Sequence, residues 1–294
     1  MTKALIVHNP VAGTQSAEQI SKTIEKHMNQ VGWEFLIHRT QEDEDIQAIV
    51  QSAAKDGYNL FIAAGGDGTV SAVASGLIGK DLKMAILPIG TGNGLARDLG
   101  IPLQAKKALS MIINSGNIRL LDAMEVKGRY FLLNFSAGLS PKAVREADRS
   151  KKREIGRLAY FIAGLHSLIG IQPHTFHLEI DGRAVRVRAS EILVMNNVSI
   201  GDPGRYFNLG IENNDGKLDL FVIRSRTIID FLRVIINVVL NRMQEDPDIN
   251  RFFIRESIRI DANKPLIVQA DGEIIDQTPI DANLVHKAVK IIVP

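Results

Sequence analysis

The segment Leu60-Phe61-Ile62-Ala63-Ala64-Gly65-Gly66-Asp67-Gly68-Thr69 decides the fold of the first part of the chain. Its apolar residues predict a buried strand, and three glycines around one aspartate follow directly. A second stretch has the same design, because Met84-Ala85-Ile86-Leu87 is followed by Pro88-Ile89-Gly90-Thr91-Gly92-Asn93-Gly94. Each glycine-rich loop leads into a predicted helix. Short apolar strands that alternate with helices predict a mostly parallel sheet covered on both faces.

The same alternation runs outward from these loops, from residue 1 to about residue 123, and we assign this part to one α/β domain. Ligands of such sheets bind at the carboxyl ends of the strands, and both glycine loops leave from such ends. The other predicted strands are Ala4–His8 and Trp33–His38, and the predicted helices are Ser16–Val31, Asp43–Ala54, Val70–Leu77, Leu95–Leu99 and Leu103–Ser115.

Residues 124–294 have a different pattern, which predicts a mainly antiparallel β-sandwich domain. Asp181-Gly182 between His174–Ile180 and Arg183–Arg188 predicts a hairpin with a type I′ turn. Helical patterns interrupt the strands at about 141–170 and 227–244, and residues of about 285–294 are expected to pack back onto the first domain. The other predicted strands are Glu191–Met195, Lys217–Ile223, Phe252–Asp261, Leu266–Ala270 and Lys287–Val293.

The composition is that of a globular protein of 294 residues, with 45% hydrophobic and 23% charged residues. A net charge of +2 is too small to indicate a nucleic-acid partner. The absence of cysteine excludes disulfides and cysteine nucleophiles, and fits a cytoplasmic protein. No apolar stretch is long enough for a transmembrane helix.

The two loops favour a phosphate ligand, because glycines let backbone N–H groups approach phosphate oxygens and helix N-termini attract anions. Asp67 lies where a divalent cation could offset phosphate charge. Together they indicate a nucleoside triphosphate and phosphoryl transfer. Two alternatives to a phosphate site remain for the first loop: it could be only a tight strand-to-helix turn, and Asp67 could be only the N-cap of the following helix. Gly90, Gly92 and Gly94 do not form the dinucleotide fingerprint, and the chain has no Walker A sequence.

Three stretches together resemble the bacterial diacylglycerol kinase-like lipid kinases, a family that includes sphingosine and ceramide kinases. They are Gly65–Thr69, Gly90–Asn93 and Asn9–Gly13, and the resemblance covers essentially the whole chain. It implies a nucleotide-binding α/β domain and a C-terminal β-sandwich, with ATP in the cleft between them. The sequence departs from many members at Gly94-Leu95, where they have Asp-Phe, so an acidic role there cannot be transferred.

The resemblance also implies site residues. Asn9 would brace the loops, and Asp67 would act with the metal and phosphates. Asp271-Gly272-Glu273 matches a motif whose acidic residue takes the proton from the lipid hydroxyl; Glu273 is the preferred base, and Asp271 is either the base or a residue that orients the metal. A plain Asp-Gly hairpin turn is the alternative. The implied ATP-site residues are Asn9, Thr40, Gly65, Gly66, Asp67, Gly68, Thr69, Val70, Ser71, Gly90, Thr91 and Asn93.

A second, structural Mg²⁺ is implied at Asp215, with backbone carbonyls of Glu212 and Lys217 as further ligands. Oxygen ligation suits this hard cation. Asp122 matches an aspartate that links this metal to the active site through water. The alternatives are an Asp-Gly turn at Asp215 and an ordinary strand-end residue at Asp122.

A basic run, Arg149–Arg153, precedes the mostly apolar segment Ile155–Ile171. This arrangement suits an anionic membrane surface. The alternative is a solvated loop followed by a core helix. The predicted helix Ile228–Leu240 could likewise contact a membrane or belong to the core. Whether the protein forms a homodimer stays open.

The expected activity is ATP- and Mg²⁺-dependent phosphorylation of a lipid hydroxyl, with diacylglycerol as leading substrate and reversible docking on a membrane. NAD kinase is the first alternative, but the nearest candidate for its Asn-Glu pair, Asn196-Asn197, lacks the glutamate. A non-catalytic nucleotide or lipid sensor is the second, and it is disfavoured because a binder needs no base.

Overall fold

The structure is a computed structural model, and it describes residues 2–138, 173–197, 210–239, 242 and 246–294. These residues belong to two compact units. The first contains the chain up to Ala123 together with His286–Pro294, and the second contains described residues between Met124 and Val285. The predicted membrane segments 149–153 and 155–171 lie outside the described residues.

The first unit is built on a parallel sheet in the order β2-β1-β3-β4. β1, β3 and β4 are buried along almost their whole length, as expected for strands covered on both faces. The last residues of β16 (Ile280–Ile292) pair in parallel with β4, with Lys290 opposite Lys83. The strands are β1 Lys3–His8, β2 Glu34–Arg39, β3 Leu60–Gly65 and β4 Lys83–Pro88.

Five helices follow these strands in the described residues of the first unit, and the predicted α/β fold is confirmed. In α1 the spacing of Ile20, Ile24 and Met28 places all three in the core, and Ser16 caps the helix by accepting the N–H of Gln19. α1 packs with α5, and α2 packs with α3. The helices are α1 Ala17–Gln30, α2 Ile46–Lys55, α3 Asp67–Leu77, α4 Gly94–Asp98 and α5 Ala105–Asn114.

The second unit is a β-sandwich, as predicted. One sheet has the order β12-β11-β10-β7-β14-β15, and in the other β13 lies between β16 and β8, which pairs with β9. Both sheets supply the core, for example Phe135 and Val268 from the first and Phe176 and Ile258 from the second. β5 (Ile118–Val126) begins in the first unit and ends in the second. The other elements of the second unit are β6 Arg129–Phe131, β7 Asn134–Gly138, β8 His174–Ile180, β9 Arg183–Ala189, β10 Glu191–Met195, β11 Leu218–Ile223, α6 Ile228–Val239, β12 Ile249–Ile254, β13 Ser257–Ala262, β14 Ile267–Ala270 and β15 Glu273–Gln277.

Asp181-Gly182 forms the predicted turn between β8 and β9, with positive φ at both residues (48° and 76°). The continuous strand predicted over Phe252–Asp261 is wrong, because β12 ends at Ile254 and β13 begins at Ser257. The Asp181 carboxylate lies at this break and accepts backbone N–H bonds of 2.8–3.2 Å from residues 255–257. The N–H groups of residues 255–257 therefore bind a side chain and not the neighbouring strand with which a continuous strand would pair.

Candidate active site

Three loops converge at the carboxyl ends of β1, β3 and β4, and Asn9 connects two of them. Its backbone N–H donates to the carbonyl of Ala64 (2.9 Å), and its Nδ2 donates to the Thr69 hydroxyl (3.4 Å). Its Oδ1 accepts the N–H of Val11 within its own loop (3.1 Å). Asn9 thus joins the end of β1 to the glycine loop after β3.

The glycines of the loops stand where side chains would collide. The N–H groups of Ile89 and Gly90 both donate to the Gly65 carbonyl at 3.3 Å. A Cβ on Gly90 would lie 2.5 Å from the Gly66 Cα, and a Cβ on Gly13, where φ is +69°, would lie 1.9 Å from the Ile89 carbonyl oxygen. Close contact between the three loops therefore requires glycine at these positions.

Asp67 links the two glycine loops through its carboxylate. Its Oδ2 accepts the N–H of Gly94 (3.0 Å) and its Oδ1 accepts the N–H of Leu95 (3.1 Å). Asp67 is the first residue of α3, while these two N–H groups begin α4. The alternative in which Asp67 caps its own helix is wrong, since the N-cap is Gly66; the carboxylate caps α4 instead.

Asn93 has an acceptor that is buried without a partner in the described part of the chain. The residue is in the left-handed region (φ 53°), and its Nδ2 donates to the Gly90 carbonyl at 2.7 Å. Its Oδ1 is buried and receives no hydrogen bond. Unsatisfied buried acceptors are rare and costly, so this oxygen marks a place where a ligand donor or water would be stabilised. Beside it, Thr91 and Gly92 are exposed.

The remaining residues expected at the ATP site lie at the same edge of the sheet or in α3. The N–H of Thr40 donates to the His8 carbonyl (2.9 Å), which places Thr40 directly after β2. Gly68, Val70 and Ser71 belong to the first turns of α3, and Val70 and Ser71 are buried. The first unit therefore brings all the predicted ATP-site residues to one end of its sheet.

In the second unit Asp271 is an anchor for a neighbouring chain segment. It is in the left-handed region (φ 48°), and Asp271-Gly272 forms the turn between β14 and β15. The carboxylate accepts three backbone N–H groups at 3.0 Å each, from Leu132, Leu133 and Asn134. Asp181 holds residues 255–257 in the same way, so the arrangement at Asp271 is one that this fold also uses for bracing alone.

Glu273 follows this turn as the first residue of β15, and its side chain is about half exposed (47%). Its Oε2 accepts from the Arg129 guanidinium at 3.0 Å. The sequence pattern indicated neither this contact nor the one between Asp67 and α4, because each joins residues far apart in the chain.

The residues expected to hold a structural metal form a turn. The Asp215 carboxylate accepts the N–H of Lys217 (3.1 Å) and lies 2.8 Å from its ammonium, while Glu212 is exposed. The carboxylate on which the predicted metal site depends thus pairs with Lys217. Within the described ranges no group of three or more His, Cys, Asp or Glu side chains could hold a metal ion.

Asp122 is fully buried in the first unit, on β5. Its Oδ1 accepts the N–H of Lys287 (2.7 Å) and lies 2.8 Å from Nδ1 of His286. These bonds attach β5 to the last strand of the chain. The proposed water link to a metal at Asp215 stays a prediction.

Comparisons with known proteins identify the family. Residues 3–126 match the model described as "Diacylglycerol kinase catalytic domain", and residues 134–293 match "YegS C-terminal NAD kinase beta sandwich-like domain". The chain belongs to the diacylglycerol kinase and YegS family. The resemblance seen in the sequence is therefore confirmed, and this member of the family is a phosphotransferase with an alcohol group as acceptor.

Relatives of this kinase match along nearly its whole length. A diacylglycerol kinase of Bacillus subtilis is 27% identical, over 100% of this chain and 97% of its own. An uncharacterized protein of Synechocystis is 29% identical, over 98% of this chain and 70% of its own. A diacylglycerol kinase structure from Bacillus anthracis superposes with a TM-score of 0.81 at 26% identity, covering 100% and 97% of the two chains. No helix of the described residues is long and apolar enough to span a membrane.

Proposed function

We propose that this kinase transfers the γ-phosphoryl group of ATP to a hydroxyl of a membrane lipid, with diacylglycerol as the leading acceptor and Mg²⁺ as the required cation. The observation that carries the proposal is the exposed Glu273 carboxylate beside a turn that Asp271 anchors through three backbone bonds. A full-length relative named diacylglycerol kinase supports the choice of acceptor.

The first unit would bind the phosphates of ATP on the backbone of its glycine loops. A Cβ at Gly90 or Gly13 would collide with the neighbouring loop, so both positions carry no side chain, and phosphate oxygens could approach the backbone of the loops closely. α3 adds the positive end of an eleven-residue helix, which favours anions. The unpartnered Oδ1 of Asn93 would accept a donor from the nucleotide or its water.

The donor set at Asp67 fits a Mg²⁺ ion bound together with the phosphates. Each carboxylate oxygen accepts one N–H and keeps further lone pairs, and oxygen is the ligand atom this cation prefers. The ion would offset the charge of the phosphates. The residues of the chain would fix the loops, and phosphoryl transfer depends mainly on such positioning and electrostatics.

On the acceptor side Glu273 would be the general base and Asp271 the positioning residue. The lipid hydroxyl oxygen attacks the γ-phosphorus, its proton moves to the Glu273 carboxylate, and the bond to the ADP oxygen breaks. Asp271 is less suited to take this proton, since its two oxygens already accept three backbone N–H groups. A base must be within hydrogen-bond reach of the hydroxyl, and the exposed Glu273 can be reached from solvent.

A membrane lipid as acceptor requires contact with a bilayer, and we propose α6 as the docking element. Ile229, Arg233 and Ile236 are spaced to lie on one face and all are exposed, whereas Val234 is buried. Replacing Ile229 and Ile236 by serine should weaken binding to anionic vesicles. Leu36→Ser is the matched control, because Leu36 is about as exposed (50%) but lies on β2. Equal vesicle binding of all three proteins would exclude α6.

A phosphate-transfer assay tests the function. ATP labelled at the γ-phosphate is offered with Mg²⁺ and mixed micelles that contain diacylglycerol, phosphatidylglycerol, ceramide or sphingosine, and with NAD in a separate reaction. Label should enter a lipid, with diacylglycerol first. Label in NAD alone would make this a NAD kinase, and ATP binding without transfer to any acceptor would favour a nucleotide or lipid sensor.

A further inference from the structure

Three acidic side chains of the β14–β15 hairpin attach it to residues 127–134 of the second unit. Asp271 accepts the backbone N–H groups of residues 132–134. Asp276 pairs with the Lys127 ammonium, and Glu273 pairs with the Arg129 guanidinium at 3.0 Å. The backbone bonds of Asp271 brace the hairpin, the exposed Asp276–Lys127 pair adds little to stability, and the third link ends on the carboxylate to which we assign proton abstraction.

Arg129 is held in place by more than its ion pair. It lies on β6, opposite Val126 of β5, next to a turn in which Lys127 and Gly128 both have positive φ. Its guanidinium lies 5.2 Å from the ring centroid of Phe131, whose side chain is buried. This cation–π contact limits the directions in which the guanidinium can point.

The Arg129 guanidinium is the single partner of the Glu273 carboxylate among the residues that the structure describes, and it contacts Oε2. Both side chains are about half exposed (53% and 47%), and ion pairs this exposed contribute little to the stability of a fold. The pair therefore adds little to stability, but it can still hold the glutamate side chain in one orientation.

We propose that Arg129 is the positioning residue of the base: it holds Oε2 of Glu273 and directs Oε1 to the acceptor hydroxyl. The inference rests on the proposed function, because it gives Arg129 a purpose only if Glu273 takes the proton. Arg129 itself need not touch the lipid or the nucleotide. A glutamate without this partner would sample more rotamers and meet the hydroxyl less often in the reactive geometry.

Arg129→Gln should lower kcat by about 10–100-fold with little change in the KM for ATP, since misplacing a catalytic group by about 1 Å can cost that much. Arg129→Lys should recover part of the loss because it restores a cation. Lys127→Gln is the matched control, as it breaks the neighbouring ion pair to the same strand without touching Glu273. Its kcat should stay within about twofold of the wild type, the small effect expected of an exposed pair.

A double-mutant cycle separates orientation from a direct role. In the Glu273→Gln background, adding Arg129→Gln should cause no further loss, because the group through which Arg129 acts is gone. Losses that multiply would mean that Arg129 acts on the substrate itself, and equal losses in Arg129→Gln and Lys127→Gln would mean a bracing role; each result overturns the inference. Full activity of Glu273→Gln alone would instead overturn the proposed base, and thermal midpoints identify misfolded variants.

Discussion

Replacing Gly90 by alanine should separate the two glycine loops. The new Cβ would lie 2.5 Å from the Cα and 3.0 Å from the nitrogen of Gly66, and both atoms are backbone. Carbon atoms in ordinary contact are about 3.5–4.0 Å apart, so the loops must move apart by roughly 1 Å. Overpacking of this kind costs about 1–3 kcal/mol, and for a protein of this size each kcal/mol lowers the thermal midpoint by about 2–4 °C.

Gly116→Ala is the control for this experiment, because nothing lies within 4 Å of its added Cβ and its φ is not positive. Thermal unfolding and ATP affinity should be measured for both variants. We expect a lower midpoint and weaker ATP binding for Gly90→Ala alone, since the bonds of Ile89 and Gly90 to the Gly65 carbonyl would lengthen. Identical midpoints and affinities of the two variants would refute the reasoning that loop contact builds the phosphate site.

Three further changes test the anchoring carboxylates. Asp67→Asn should lower the thermal midpoint, measured by calorimetry, because one of the two N–H groups that Asp67 binds loses its acceptor at a cost of about 1–3 kcal/mol. It should also abolish turnover, because the carboxylate that would bind Mg²⁺ with the phosphates is lost. Wild-type turnover of the variant would contradict this role. Asp271→Asn should reduce both stability and kcat, whereas Glu273→Gln should reduce kcat alone, and a stable Asp271→Asn would argue against the anchor. At Asp181 burial raises the pKa, but bonds from the N–H groups of residues 255–257 outweigh it and hold the pKa below its usual value. Its contribution to stability is therefore complete above about pH 4 and is lost as the pH falls through the lowered pKa. Denaturant titrations should show a lower free energy of unfolding for Asp181→Asn than for the wild type at neutral pH, and the difference should become smaller in acid. A difference that does not depend on pH would contradict this.

The sequence predicts the elements of the phosphate site because each depends on a local pattern. A buried strand, the glycines at its end and the spacing of a helix can each be recognised within a window of about ten residues. The Asp-Gly pair of a type I′ turn is equally local. Asp181-Gly182 and Asp271-Gly272 both have the positive φ values that this pattern requires.

The contacts that the sequence does not predict join distant segments. Asp67 binds N–H groups 27 and 28 positions away, and Arg129 pairs with Glu273 144 positions away. No periodicity encodes such pairs, since the partners meet only after the sheets have formed. The break between β12 and β13 is likewise accompanied by a distant contact, as the Asp181 carboxylate accepts the N–H groups of Glu256 and Ser257.

The turnover of Glu273→Gln on diacylglycerol in mixed micelles tests the central claim most directly. Asp276→Asn serves as control, since Asp276 lies on the same strand and pairs with Lys127. With γ-labelled ATP and Mg²⁺, kcat of Glu273→Gln should fall by about 10²–10⁴-fold, the usual contribution of a general base, while ATP affinity stays unchanged. Wild-type kcat in Glu273→Gln, or a loss confined to ATP affinity, would contradict the assignment of Glu273 as the base that activates the lipid hydroxyl.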